Sequence, residues 1–247
     1  MKELALYKNL IKRYLFYLLI YSFVFGLMNL IMFNHFPLLS LLHSISYYLY
    51  GYTVILVTLN YYLFKLSISS GISRNGLYKL KLYILTTITF IINMFIFFIN
   101  LFSYILNDKQ TNSIYMSLYF GFFKNNILNF IFMFIVGVIT IFFIMILFNT
   151  LGTFLSLFNV LGKIITLISI YAITHIMTMA FVFYYFVFGF KNINLQPTFD
   201  LITGLNASTA GDGNNGNPIS IAITLILLTC LLLFINYKLT KKSQVRK

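Results

Sequence analysis

The chain has 247 residues, of which 60% are hydrophobic and 9% charged, against about 25% charged in an ordinary soluble domain. So little polar surface cannot cover a soluble core, so the surrounding solvent is lipid. The formal net charge of +13 is spread around apolar runs and not along a stripe interleaved with stacking aromatics, which excludes a nucleic-acid groove.

The first element in chain order is an amphipathic helix over 1–13. Leu4, Tyr7, Leu10, Ile11 and Tyr14 share one face, and Lys8, Asn9, Lys12 and Arg13 lie opposite. This pattern predicts an interfacial helix that enters the first span at an elbow. It does not read as a cleavable signal, because the apolar run that follows is too long and ends at no small-residue site.

A helix needs about 20 apolar residues to cross the hydrocarbon core. Six stretches qualify: 14–33, 45–64, 82–106, 127–148, 164–190 and 219–237. Lipid favours helices over open strands, and the runs lack the strict alternation of a barrel. The predicted fold is therefore an all-α integral membrane protein, a single domain over 1–247 with six spans. Tyrosine pairs such as Tyr47–Tyr48, Tyr61–Tyr62 and Tyr184–Tyr185 can furnish the aromatic belt in a chain without tryptophan.

Orientation follows from the basic residues of the short loops. Lys2, Lys8, Lys12 and Arg13 precede the first span, and Lys65, Arg74, Lys79 and Lys81 lie between the second and third. Lys163 separates the fourth from the fifth, and Lys238, Lys241, Lys242, Arg246 and Lys247 follow the sixth. The alternate loops hold Lys109, Lys124 and Lys191 together with Asp108, Asp200 and Asp212. Both termini are expected in the cytoplasm of a plasma membrane.

Two external segments stand out. "NDKQTNSIYMSLYFGFFKNN" is longer and more apolar than a plain loop, and its centre is suited to the outer interface. "KNINLQPTFDLITGLNASTAGDGNNGNP" has an ordered-looking first half and a glycine-rich, flexible second half. Pro218 suits the first turn of the last helix. Asn206 begins a three-residue glycosylation pattern that has meaning only in a eukaryotic secretory route.

Catalytic chemistry is sparse. The spans carry no Asp or Glu, and no Lys or Arg away from their ends, which argues against a self-powered pump or secondary transporter. His175, in "YAITHIMTMAF", is the candidate intramembrane polar site: it is either a proton relay or a hydrogen-bonding partner of a neighbouring helix, the commoner role. His35 and His43 are too few for a metal site. Cys230 reads as a small buried hydrophobe. The sequence has no paired carboxylates, no H-E-x-x-H and no G-x-S-x-G. "GISRNGLYK" misses a Walker A loop because Leu77 and Tyr78 replace the required Lys-Ser/Thr. The chain reads as neither an enzyme nor a cofactor binder.

The segment "SSGISRNGLYKLKL" between the second and third spans is short, glycine-punctuated and basic. Gly71 permits a sharp turn, and Ser73 can cap a short helix beginning near Arg74. Arg74 can contact a carboxylate on a soluble partner, and Tyr78 offers an aromatic anchor. Spacing alone fits two roles equally, a docking surface or a set of charges that holds the loop in the cytoplasm.

Gly71, Ile72, Ser73, Arg74, Tyr78 and Lys79 resemble the loop between the second and third spans of ABC transporter permeases of the type-2 exporter family, notably the small six-span permeases of Firmicutes. The amphipathic amino-terminal helix (Lys8, Ile11, Lys12 and Arg13) and the overall topology extend the resemblance over the chain. It implies a bacterial permease subunit that pairs with a second copy or a related permease. A separate cytoplasmic ATPase, which supplies ATP and magnesium, would dock on the loop to drive export of an amphiphilic substrate, such as an antimicrobial peptide or a lipid-like molecule. A different class of function also fits, a non-transporting sensor or immunity protein that binds a partner within the bilayer. The glycine-rich segment before the last span departs from the family, where a helical hairpin is expected.

Overall fold

The computed structural model describes residues 2–32, 49, 51, 69, 71–106, 114–188, 196–205 and 216–242. These are predominantly helical, and no strand occurs among them. The helices are α1 (Lys2–Met32), α2 (Arg74–Leu106), α3 (Ile114–Tyr119), α4 (Asn126–Leu155), α5 (Val160–Phe188), α6 (Gln196–Thr203) and α7 (Pro218–Lys242). Four of them, α2, α4, α5 and α7, contain stretches long and apolar enough to cross a membrane. The protein is an all-helical membrane protein.

These four coincide with the third to sixth expected spans. The first falls within α1, and of 45–64 only residues 49 and 51 are described. No break separates the expected elbow helix from the first span: α1 runs uninterrupted for 31 residues. The expected faces do hold, with Leu10, Tyr14 and Leu18 buried and Lys8, Lys12 and Arg13 exposed, while Ile11 is half-buried. Buried positions four residues apart continue through the proposed junction, and neither proline nor glycine interrupts the helix there.

The bundle is built around α4. It packs along α7 on one side and along α2 on another, while α1 lies against α2. Thr89 of α2 donates to Met145 Sδ of α4 at 3.3 Å, and Asn93 Nδ2 donates to the Phe134 carbonyl at 3.0 Å. As α2 advances α4 recedes, so the two are antiparallel. By contrast Asn236 near the end of α7 donates to Thr150 near the end of α4 at 3.1 Å. At the other end Gly216, just before α7, donates to the Leu118 carbonyl at 2.8 Å, shortly before α4. Helices α4 and α7 therefore run parallel.

Close approach of α2 and α4 depends on Gly137. A Cβ at that position would run into Asn93 Oδ1, so the missing side chain leaves room for the amide to reach the Phe134 carbonyl. Small residues that admit a neighbour's polar side chain are a common basis of packing in lipid, where the hydrophobic effect does not draw helices together.

Helix α5 stands apart. From Val160 to Met179 none of its residues is buried within the chain. Asn159 accepts from the Gly162 amide at 2.8 Å and caps its start. Its apolar residues, Ile164, Ile165, Ile168, Ile173 and Ile176 among them, are exposed.

Candidate functional site

The Gly71–Lys81 segment is built as a helix start. Gly71 has φ 73°, a left-handed conformation that an L side chain strains. Two residues on, Ser73 Oγ accepts from the Gly76 amide at 3.1 Å and its carbonyl accepts from Leu77 at 2.8 Å. Ser73 is thus the N-cap that its spacing suggested. The helix it starts is not a short separate one. It runs straight into the third span as α2, 33 residues long, because Leu77, Leu80 and Ile84 continue the buried stripe without a breaker.

Two of the expected docking side chains are engaged inside the chain. Arg74 donates to the Lys241 carbonyl at 2.6 Å, where the last turn of α7 has carbonyls without helical partners. Lys241 turns its own ammonium over the Tyr237 ring, 4.4 Å from the centroid. Tyr237 in turn meets Tyr78 edge-on with centroids 5.1 Å apart, and the Tyr78 hydroxyl donates to the Leu233 carbonyl at 3.1 Å. Residues 74 and 78 on α2 thereby interlock with 233, 237 and 241 on α7. Gly71, Ser73, Arg74 and Lys79 remain exposed on the outer rim, and Ile72 is half-buried.

On α1 the Tyr7 hydroxyl lies 2.7 Å from Thr87 Oγ1. Thr87 directs its own hydrogen to the Tyr83 carbonyl at 2.9 Å, so the phenol is the donor. Tyr7 therefore sits alongside the apolar part of α2.

His175 stacks on Tyr171, with ring centroids 5.8 Å apart and planes 12° from parallel. It is exposed on α5, and among the described residues no neighbouring helix receives the hydrogen bond expected of it. Cys230 is exposed, contrary to the expectation of a buried hydrophobe. His35 and His43 lie outside the described residues. Among the described residues no group of three or more His, Cys, Asp or Glu could hold a metal ion.

A polar seam at the heart of the bundle was missed by a reading that looked for ionisable groups. Asn149, Thr150 and Thr153 of α4 and Thr229, Asn236 and Thr240 of α7 are buried, as are Thr89 and Asn93 of α2. Thr150 Oγ1 donates to Ile146 at 2.7 Å while accepting from Asn236. Thr153 donates to the Asn149 carbonyl, and Thr240 to that of Asn236, both at 2.8 Å. The signal was present as Asn and Thr repeated three, four and seven residues apart in otherwise apolar runs.

The opposite end of the bundle is knitted by backbone. Tyr119 donates to the Thr203 carbonyl at 2.8 Å, and Asn217 donates to the Gly204 carbonyl at 2.7 Å. Asn129 clamps Phe123 twice, accepting from its amide at 3.1 Å and donating to its carbonyl at 2.8 Å. Burial raises the Tyr119 hydroxyl above its ordinary value of 10.0. The apolar segment between the third and fourth expected spans thus contains α3, and the first half of the segment before the last contains α6. Pro218 opens α7 as expected, with Asn217 accepting from the Ile219 amide at 2.9 Å.

The chain matches no protein-family model, and comparison with curated proteins and with solved structures finds no similar protein.

Proposed function

We propose that the chain is the six-span membrane subunit of a bacterial ABC exporter, with both termini in the cytoplasm. It would be passive alone, paired with a second permease, and driven by an ATPase bound at the Arg74 end. The observation that carries this reading is the tip of α2. A left-handed glycine and a serine cap present Ser73, Arg74 and Lys79 on an exposed rim, and the Arg74 and Tyr78 contacts fasten that rim to α7. A force on the rim would move two long helices together. ATP binding to the partner would then shift the population between inward-facing and outward-facing states through its different affinity for each. The resemblance of Gly71, Ile72, Ser73, Arg74, Tyr78 and Lys79 to the coupling loop of the type-2 exporters supports the same reading, and an amphiphilic cargo suits the apolar spans.

The test is co-purification of the tagged chain from its own host in mild detergent, with and without Arg74→Glu and Lys79→Glu. An ATPase subunit recovered with the wild type and lost with the variants supports docking through this rim. Recovery that ignores both substitutions moves the docking surface elsewhere, and no ATPase under several gentle conditions defeats the exporter reading.

A second reading draws on α5. A span uncovered within its own chain suits a sensor or immunity protein that binds a partner in the bilayer. This reading expects a co-purifying membrane protein and no ATPase.

A further inference from the structure

We infer that Lys81 is the cation of a site for the phosphate of an anionic membrane amphiphile, one whose headgroup carries no balancing cation. Lys81 is 5% exposed, and it makes no hydrogen bond or ion pair among the described residues. Its neighbours on the inner face of α2, Leu77, Leu80, Ile84 and Leu85, are buried and apolar. Asp200 lies at the opposite end of the bundle, in α6. A lysine side chain so little exposed, with no anion beside it among the described side chains, is costly to keep charged and needs a compensating charge.

The depth of Lys81 selects the kind of anion. The apolar run of α2 begins at Leu82, so Lys81 sits where the hydrocarbon core gives way to headgroups. A lysine at this level ordinarily extends its stem toward water. Lys79, two residues earlier, is exposed in that way, whereas Lys81 turns into the bundle. Arg74, Lys79, Lys241 and Lys242 surround this end with positive charge and raise the local concentration of anions. A headgroup phosphate can reach Lys81 while its acyl chains stay among the apolar side chains below. The inference does not depend on the transport reading.

The test is native mass spectrometry of the full chain, released from vesicles containing phosphatidylglycerol or phosphatidylcholine, for wild type and for Lys81→Met, Lys81→Arg and Lys79→Met. Wild type, Lys81→Arg and Lys79→Met should retain phosphatidylglycerol over phosphatidylcholine, and Lys81→Met should retain about tenfold less, the scale of one lost charge-assisted hydrogen bond. Adding inorganic phosphate separates the sources. Displacement of the lipid at millimolar phosphate assigns the site to free phosphate, and its absence assigns it to the headgroup. Equal retention of the two lipids, or of phosphatidylglycerol by wild type and Lys81→Met, overturns the inference. Should Lys81→Met fail to fold, Lys81→Gln makes the same comparison, with the thermal midpoint of each variant as the control.

Discussion

Arg74 and Lys241 lie 167 residues apart in sequence, and the guanidinium of one holds the main-chain carbonyl of the other at 2.6 Å. A side chain expected to serve an external partner thus also closes the carboxyl end of α7. The bond is at an exposed surface. Arg74→Ala should therefore cost about 1 kcal/mol or less in stability, read as a small fall in the thermal midpoint in detergent. A loss several times larger would mean that Arg74 anchors more of the bundle than this one carbonyl.

Gly71 supplies a turn that other residues strain. A Cβ there meets nothing within 4 Å, so Gly71→Ala tests the backbone alone and should cost about 1 kcal/mol. Gly71→Asn should cost less, because asparagine tolerates the left-handed region. Denaturant midpoints of the two variants check the order, and equal losses would point to another cause.

Asn93 and Gly137 make a reciprocal pair. Gly137→Ala should destabilise by about 1–3 kcal/mol, because the new methyl displaces the amide from the Phe134 carbonyl. Adding Asn93→Ala should recover much of that loss. The four thermal midpoints of the cycle test this, and simple additivity would show that the clash is absorbed elsewhere.

Asn236 and Thr150 link the parallel helices. Asn236→Ala removes the bond and leaves a buried space, for an expected cost of about 1–3 kcal/mol. The coupling with Thr150→Ala should be only about 0.5–1 kcal/mol, since Thr150 keeps its own donation to Ile146. A double-mutant cycle measures it, and zero coupling would remove the bond from the energetics.

Tyr119 gives a dependence on alkali. Its folded-state hydroxyl is raised above 10.0 by burial, so it favours the folded state below that pH and loses the effect as pH climbs through the raised value. Ionisation also removes the proton donated to Thr203. Tyr119→Phe should lower stability near neutrality by about 1 kcal/mol and flatten its fall in alkali. Parallel pH profiles of wild type and variant would exclude this origin.

What could be read in the sequence depended on the kind of signal. Long apolar runs marked α2, α4, α5 and α7, and a glycine followed by a serine marked the start of α2. Those signals are local, and the backbone obeys them. A separate helix before the first span was inferred from a charged face, but a polar surface does not interrupt a helix that lacks a breaker, and α1 is continuous. Tyr78 looked like a free aromatic because its acceptor, Leu233, is 155 residues away. The interior was misjudged for a related reason. In lipid, Asn and Thr carry the specific contacts between helices, and a search for charges passes over them.

The parallel course of α4 and α7 has a consequence for how the chain is made. Two neighbouring helices that cross in the same direction require a return leg, and α5, between them in sequence, is long and apolar enough to supply it. The principal partner of α4 therefore begins at residue 218. During synthesis, α2 and α4 emerge first and can pair, but the Asn149–Thr153 face of α4 has no α7 to meet until the chain has grown past residue 218. Over that interval of seconds the seam must be shielded by lipid, water or an insertase, so the order of synthesis leaves the bundle open until α7 arrives.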